Sequence, residues 1–205
     1  MDAELVARWR AGDRSACAEL FAAHYDGVAR FFRNKVPSHE DDLVQRSFLR
    51  CFEGIERLRE PAAFRSFLFA IAHNVLREHL REHSRAPLEL ESQRAIDLDP
   101  SPSTLVAERE HQRLLIAALR HIPLAHQIVL ELHYWEQLSA SQIAEILEEP
   151  LGTIKTRLRR AKQLLAQAVA ELGRTPALVS ASLAELERWA AEIGEQLDAA
   201  ARPRS

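Results

Sequence analysis

The sequence is short of glycine, tyrosine and cysteine, and it has no long hydrophobic run. Only 6 of its 205 residues are Gly and only 2 are Tyr, while Ala, Leu, Glu and Arg are frequent, a composition that favours helices. No stretch approaches the roughly 20 apolar residues of a membrane span. The opening residues, 1–13, lack the apolar core of a signal peptide. We therefore expect a helical, cytoplasmic protein without a membrane segment.

The two cysteines and the charge balance bear on whether the protein binds metal and on how it could bind DNA. Cys17 and Cys51 show no metal-ligand spacing, so we expect buried apolar thiols in a reducing compartment, and nothing supports a redox pair. The net charge is −3, from 27 Lys and Arg against 30 Asp and Glu. This is unusual for a protein that binds DNA alone. It suits a protein whose DNA affinity comes partly from a partner, with basic residues concentrated locally.

Residues 139–163 predict two helices joined by a tight turn. Ser139 and Gln142 have the spacing of a capping box, and Pro150 suits the start of the second helix. One stripe of that helix is apolar, at Ile154, Leu158, Ala161 and Leu165. Its other positions between 151 and 163 include five basic residues and no acid: Lys155, Arg157, Arg159, Arg160 and Lys162. A short helix, a turn and a helix with a basic front are what a reader of the DNA major groove needs.

The same stretch resembles a known family. Residues 152–158, GTIKTRL, followed by Arg160-Ala161-Lys162, are similar to the signature that closes bacterial sigma factors of the extracytoplasmic-function (ECF) type. Residues 138–144 and 119–132 resemble two further motifs of that family, with Gln142 and Gln127 in place of the usual Glu and Arg. The resemblance implies that the −35 promoter element is contacted by Lys155, Thr156, Arg159 and Arg160.

A second resemblance falls on a predicted helix that runs from Ser38 to about Glu53. Residues 41–49, DDLVQRSFL, are similar to the segment by which the family binds RNA polymerase. The implied contacts, with the clamp helices of the β′ subunit, fall on Asp42, Leu43, Gln45 and Phe48. An acid and an amide beside apolar residues suit an interface. The alternative is an ordinary amphipathic core helix, with Leu43, Val44, Phe48, Leu49 and Phe52 inside.

A third resemblance lies at 64–74, FRSFLFAIAHN, which is similar to the family element that reads the melted −10 strand. Residues 57–85 include six Arg and three Glu. Cations interleaved with aromatic residues are typical of sites that bind single-stranded DNA. The amide of Asn74 can hydrogen-bond the edge of an extruded base. The implied −10 contacts are Phe64, Asn74, Arg77 and Arg81. We expect Phe67 and Ile71 to be core residues.

One string in the same helix has the form of an enzyme motif. Residues 79–83, HLREH, match the inverted zinc-protease pattern, in which His79 and His83 would ligate zinc and Glu82 would act as base. No third ligand follows at a recognisable spacing. We expect no catalytic residue, metal or cofactor here, and a polar helix end that faces duplex DNA.

The whole chain predicts an all-α protein of two small helical domains. The predicted parts are residues 1–85 (sigma region 2), an acidic flexible linker at 86–103 punctuated by prolines, residues 104–172 (sigma region 4, with the helix-turn-helix) and a C-terminal extension at 173–205 with an amphipathic helix. The resemblance implies two partners: core RNA polymerase, through the β′ clamp helices and the β flap, and promoter DNA. An anti-sigma factor is a further partner that the resemblance suggests. The alternative function is a stand-alone helix-turn-helix regulator.

Overall fold

The computed structural model describes residues 1–83 and 107–172, with side chains described at 1–83 and 114–172. Every regular element within these residues is a helix, as predicted. They divide into two compact units: 1–83 with Ser141–Glu149, and 107–140 with 150–172. The predicted linker at 86–103 and the predicted extension at 173–205 lie outside the described residues.

The first 83 residues form four helices: α1 (Asp2–Arg10), α2 (Arg14–Arg33), α3 (Glu40–Gly54) and α4 (Phe64–His83). Short 3-10 turns at Pro37–His39 and Pro61–Ala63 precede α3 and α4, so α3 begins two residues later than the predicted Ser38. The carboxylate of Asp13 caps α2 by accepting hydrogen bonds from the backbone N–H groups of Ser15 and Ala16. This cap satisfies two of the backbone donors that the first turn of α2 leaves without a helical partner.

The core of this unit is aromatic and aliphatic. Helix α3 packs against α4 and α2, and α1 packs against α2. The largest fully buried side chains here include Leu20, Phe32, Leu43, Phe64, Leu68, Phe69 and Leu76. The guanidinium of Arg10 donates to the backbone carbonyls of Ile55 and Leu58 and so ties α1 to the connection between α3 and α4. These contacts hold α3 and α4 side by side.

The second unit is built from α5 (Ala107–His121), α6 (Leu124–Tyr134) and α8 (Leu151–Leu172). Helix α8 packs against both α5 and α6. Pro123 is the residue before α6, where no backbone donor is needed. Gln127 and Glu131 are buried in α6, and the Gln127 amide donates to the Glu131 carboxylate at 2.9 Å. A hydrogen-bonded polar pair therefore lies in the core of this unit, where Glu136 is also buried.

Cys17 and Cys51 are both free and buried, as predicted. Burial raises the pKa of both thiols, that of Cys51 to about 12, so neither is a ready nucleophile. No helix in residues 1–83 or 107–172 is long and apolar enough to cross a membrane.

Candidate nucleic-acid and protein interfaces

Helix α8 separates its basic face from its apolar face as the sequence predicted. Ile154, Leu158, Ala161 and Leu165 are all buried. The four residues predicted to contact the −35 element are all exposed: Lys155, Thr156, Arg159 and Arg160. They form two neighbouring rows four residues apart, so they lie on one side of the helix. This side presents three cations and a hydroxyl.

The other two basic residues of α8 are placed differently. Arg157 and Lys162 are half-buried, and the ammonium of Lys162 lies 5.3 Å from the centre of the Tyr134 ring on α6. A cation at this distance from an aromatic face is held by the ring. Lys162 therefore helps to attach α8 to its own unit, and the exposed four remain as the candidate DNA-binding set.

A tight turn precedes α8. Helix α7 spans Ala140–Leu147 and buries Ile143, Ile146 and Leu147. Glu148 has a φ of +56°, in the left-handed region, which ends the helix within one residue. Pro150 then accepts the first backbone hydrogen bond of the next turn, from Thr153 at 2.9 Å. The helix, turn and helix predicted at 139–163 are thus present.

In the first unit, an open groove of about 360 Å³ lies between the end of α3 and the exposed side of α4. Three of the four predicted −10 residues line it: Asn74, Arg77 and Arg81. Phe67 and Ile71 form its apolar wall and are only half-buried, so the expectation that they are core residues is wrong. The groove combines cations, an exposed amide and an aromatic ring.

Helix α3 and the turn after it contribute two arginines that the sequence did not single out as site residues, Arg50 and Arg57. Arg50 makes a two-pronged ion pair with Glu78 of α4, at 2.6 and 2.9 Å. That hydrogen-bonded pair lowers the pKa of the Glu78 carboxyl, with Arg46 adding to the effect. Glu78 is therefore ionised and holds the two sides of the groove together. The basic run from Arg57 to Arg85 was the signal that could have extended the site to Arg57.

Phe64, the fourth predicted −10 residue, is not at the surface. Its side chain is 0% exposed, and its ring centre lies 5.3 Å from that of the buried His24. The aromatic ring that borders the groove is Phe67, three residues later. Phe64 is therefore a core residue, and assigning its side chain to DNA contact was wrong.

A second, more apolar groove of about 590 Å³ lies between α2 and α3. It is lined by Phe21, Ala22, Tyr25, Asp26, Val44, Gln45 and Phe48. Gln45 and Phe48 were predicted to bind the polymerase, and Asp42 is exposed on the same helix. Tyr25 stacks on Phe48 with the rings 5° from parallel and their centres 6.2 Å apart. Tyr25 was missed because it belongs to α2, outside the motif.

Helix α3 corrects two expectations. Leu43, predicted to touch the polymerase, is 0% exposed and belongs to the core. Leu49 and Phe52, which would lie inside if α3 were an ordinary amphipathic core helix, are 58% and 55% exposed. Leu49 and Phe52 therefore add exposed apolar surface on α3 to that of Phe48.

Two family profiles match the chain. The profile described as "Sigma-70 region 2" matches residues 20–86, and the one described as "Sigma-70, region 4" matches residues 112–165. The chain belongs to the sigma-70 family. Region 2 of this sigma factor thus contains both grooves, and region 4 contains the basic face of α8.

Curated relatives place the sigma factor in the ECF group. The ECF RNA polymerase sigma-E factor of Haemophilus influenzae is 28% identical over 179 residues, which cover 80% of this chain and 93% of that protein. The protein of the same name from Escherichia coli strain K12 is 27% identical over 175 residues, covering 80% and 92%. The chain is thus a promoter-directing sigma factor of RNA polymerase.

A solved structure shares the fold of this sigma factor. The structure of CnrH in complex with the cytosolic domain of CnrY aligns with a TM-score of 0.61 and 21% sequence identity. The alignment covers 83% of this chain and 97% of that one. The all-helical arrangement predicted from the sequence is therefore one that a solved protein adopts.

Proposed function

We propose that the sigma factor uses three separate surfaces, one for each contact that promoter-directed initiation requires. The apolar groove between α2 and α3 binds core RNA polymerase. The basic face of α8 binds the −35 element as duplex. The groove beside α4 binds the melted −10 strand. The observation that carries the proposal is the exposure of Lys155, Thr156, Arg159 and Arg160 on one side of a helix whose other side is buried.

The basic face of α8 suits duplex DNA. Arginine can donate two hydrogen bonds to the edge of guanine, and lysine or arginine can neutralise phosphates. Because the chain as a whole carries a charge of −3, three neighbouring cations without an acid between them are a local concentration of positive charge. Such a concentration supports DNA binding by a protein that is delivered to the promoter by a partner.

The groove beside α4 suits an unpaired strand. Arg77 and Arg81 offer cations for phosphates, and Phe67 with Ile71 offers an apolar wall for a base. The exposed amide of Asn74 has both a donor and an acceptor for the edge of that base. Phe64 lies outside this set, and Arg57 joins it.

The α2–α3 groove suits a helical protein partner. Tyr25 and Phe48 supply aromatic anchors in a mostly apolar depression, and Asp26 and Gln45 supply its polar edge, while Asp42 is exposed elsewhere on α3. Aromatic centres with polar edges are characteristic of protein interfaces. Leu49 and Phe52 extend the exposed apolar surface along α3. The partner proposed here is core RNA polymerase, through the clamp helices of β′.

The proposed role needs no bond to be made or broken by this chain, and it places the protein in the cytoplasm with the polymerase. The same protein surfaces could also be covered by an anti-sigma factor, which would then compete with polymerase or promoter.

The experiment that tests the proposal combines core RNA polymerase with the full chain and a genomic promoter library. The wild type is expected to co-elute with core polymerase and to produce new start sites. Arg160→Ala is expected to co-elute equally well but to lose about 1–3 kcal/mol of promoter affinity, since a base-pairing arginine contributes about that much. Arg14→Ala, which removes the same charge from an exposed position at the start of α2, is the matched control.

Two results would contradict the assignment. Loss of co-elution in Arg160→Ala would mean that α8 binds polymerase rather than DNA. Tight and selective DNA binding by the wild type alone, without co-elution, would favour the stand-alone regulator instead.

A further inference from the structure

Three histidines meet at the end of α4, although they are distant in the sequence. His79 and His83 belong to the last turns of α4, and His39 belongs to the 3-10 turn before α3. One ring nitrogen from each lies within 4.8 Å of one from each of the others. The ring centres are 4.2 Å apart for His79 and His83 and 4.6 Å apart for His39 and His79. His39, which precedes the motif at 79–83 in the sequence, therefore supplies the third candidate ligand that does not follow the motif.

Two of the rings carry features of metal-ligating histidine. Nδ1 of His83 lies 2.8 Å from the backbone carbonyl oxygen of His79, and since a carbonyl can only accept, Nδ1 donates. Its Nε2 then keeps a free lone pair, oriented by the kind of outer contact that fixes ligating imidazoles. His79 is 5% exposed. Burial lowers its pKa, and His83 and His39 lower it further, which favours the neutral form that binds metals.

We propose that His39, His79 and His83 form a binding site for a divalent transition-metal ion of the Zn²⁺ class, with a fourth position open to solvent. Imidazole is a preferred ligand for Zn²⁺, and histidines four apart on a helix are a common half-site. With Zn–N bonds of about 2.0–2.1 Å, tetrahedral geometry places the nitrogens about 3.3 Å apart. Rotation of the exposed His39 side chain, with a small adjustment of His83 that keeps its Nδ1 hydrogen bond, would bring the nitrogens to that spacing.

The charges around the three-histidine site are mixed. The carboxylate of Glu82 on α4 raises the pKa of His79, and the guanidinium of Arg46 on α3 lowers it. Charges of both signs therefore act on the cluster. Arg46 also faces Glu78 at 3.5 Å and Asp42 at 3.9 Å, which moderates its positive charge. A bound ion would join the turn at Pro37–His39 to the end of α4. It would thus stabilise region 2 and add positive charge to the helix that carries Arg77 and Arg81.

The test uses the full chain without a histidine tag, freed of metal by a chelator that is then removed. Zn²⁺ is titrated by calorimetry, and Co²⁺ is titrated while its visible absorption reports the coordination geometry. We expect one ion per chain, a tetrahedral cobalt spectrum and a higher melting temperature with Zn²⁺, because an ion that binds only the folded protein stabilises it. His39→Ala and His83→Ala are each expected to weaken binding by at least about tenfold.

His121→Ala, in the second unit, is the matched control and should bind Zn²⁺ as the wild type does. His39→Gln and His83→Gln repeat the test with larger side chains and should match the alanine variants. His79 is left unchanged because it is buried. Absence of one-to-one binding, or equal affinity in the wild type and both His39 variants, would overturn the proposal. The measurement requires neither DNA nor polymerase, so its failure leaves the proposed function untouched.

Discussion

Helix α8 and helices α3 and α4 show two different relations between residue type and exposure. In the first half of α8, every buried position is apolar, and the exposed positions other than Leu151 and Gly152 are polar or charged. In α3 and α4, apolar residues occur on both sides: Leu43 and Phe64 are 0% exposed, whereas Leu49 is 58% exposed and Phe67 is half-buried. Hydrophobicity therefore predicts which residues of α8 are exposed, but it does not predict this for α3 and α4.

The difference follows from what each surface is proposed to bind. Duplex DNA presents phosphates and base edges, so a protein surface that binds it needs charged side chains. Charged side chains are also the ones that are most often exposed. A surface that binds an unstacked base or a protein helix uses apolar side chains, which are the same residue types that form the core. Predictions that separate the two kinds of apolar residue test this distinction directly.

The largest expected effect compares two phenylalanines of α4. Phe64→Ala removes a fully buried ring and should cost about 3–5 kcal/mol of unfolding free energy. Phe67→Ala removes a half-buried ring at the groove and should cost only about 1 kcal/mol. It should instead reduce promoter opening by the polymerase complex. Urea unfolding of the full chain measures the first quantity, and a strand-opening assay on a promoter recovered from the library measures the second.

If Phe64→Ala unfolded no more easily than Phe67→Ala, the division between core and groove would be wrong. If Phe67→Ala opened the promoter as well as the wild type, Phe67 would be a structural residue only. Ile71→Val, which keeps an apolar wall at the groove, is the conservative control and should behave like the wild type in both assays.

The second comparison uses two leucines of α3 and has a somewhat smaller expected effect. Leu43→Ala should lose about 2–5 kcal/mol of stability, because it opens a cavity in the core. Leu49→Ala should change stability by no more than about 0.5 kcal/mol and should weaken the affinity for core polymerase. Chemical denaturation and a binding titration with core polymerase separate the two.

Equal stability losses in the two leucine variants would show that Leu49 is buried after all. Unchanged polymerase affinity in Leu49→Ala would limit the interface to the groove around Phe48 and Tyr25. Glu53→Ala, an exposed change one turn further along α3, controls for any general effect on the helix.

The sequence predicted the fold class, the helix order and the four exposed residues of α8, because periodicity and charge report directly on helices and on a basic face. It could not place Leu49 or Phe67, since both sides of those helices carry apolar residues. It also could not bring His39 to His79 and His83, because their meeting depends on how the turn before α3 lies against the end of α4. Local pattern defines elements, whereas sites assembled from several elements need their packing.

The smallest expected effect concerns the pH dependence of the first unit. His24 is buried, and its Nε2 donates to the carboxylate of Asp2 at 2.9 Å. Burial lowers the pKa of His24 below its ordinary value of 6.5, with Arg65 acting in the same direction and Asp2 opposing both. The unfolded chain therefore takes up a proton at higher pH than the folded chain does. This contribution to stability is complete above about pH 6.5 and is lost as the pH falls through the folded pKa.

His24→Gln should consequently flatten the fall in melting temperature between about pH 7.5 and 5, while it lowers the temperature itself at neutral pH by removing part of a packed ring. His121→Gln, in the second unit, is the control and should follow the wild-type pH dependence. Because carboxylates and His79 also titrate in the folded chain, the informative quantity is the difference between variant and wild type at each pH. A constant difference across the range would show that His24 does not change protonation on unfolding, and that its burial beside Phe64 contributes packing alone.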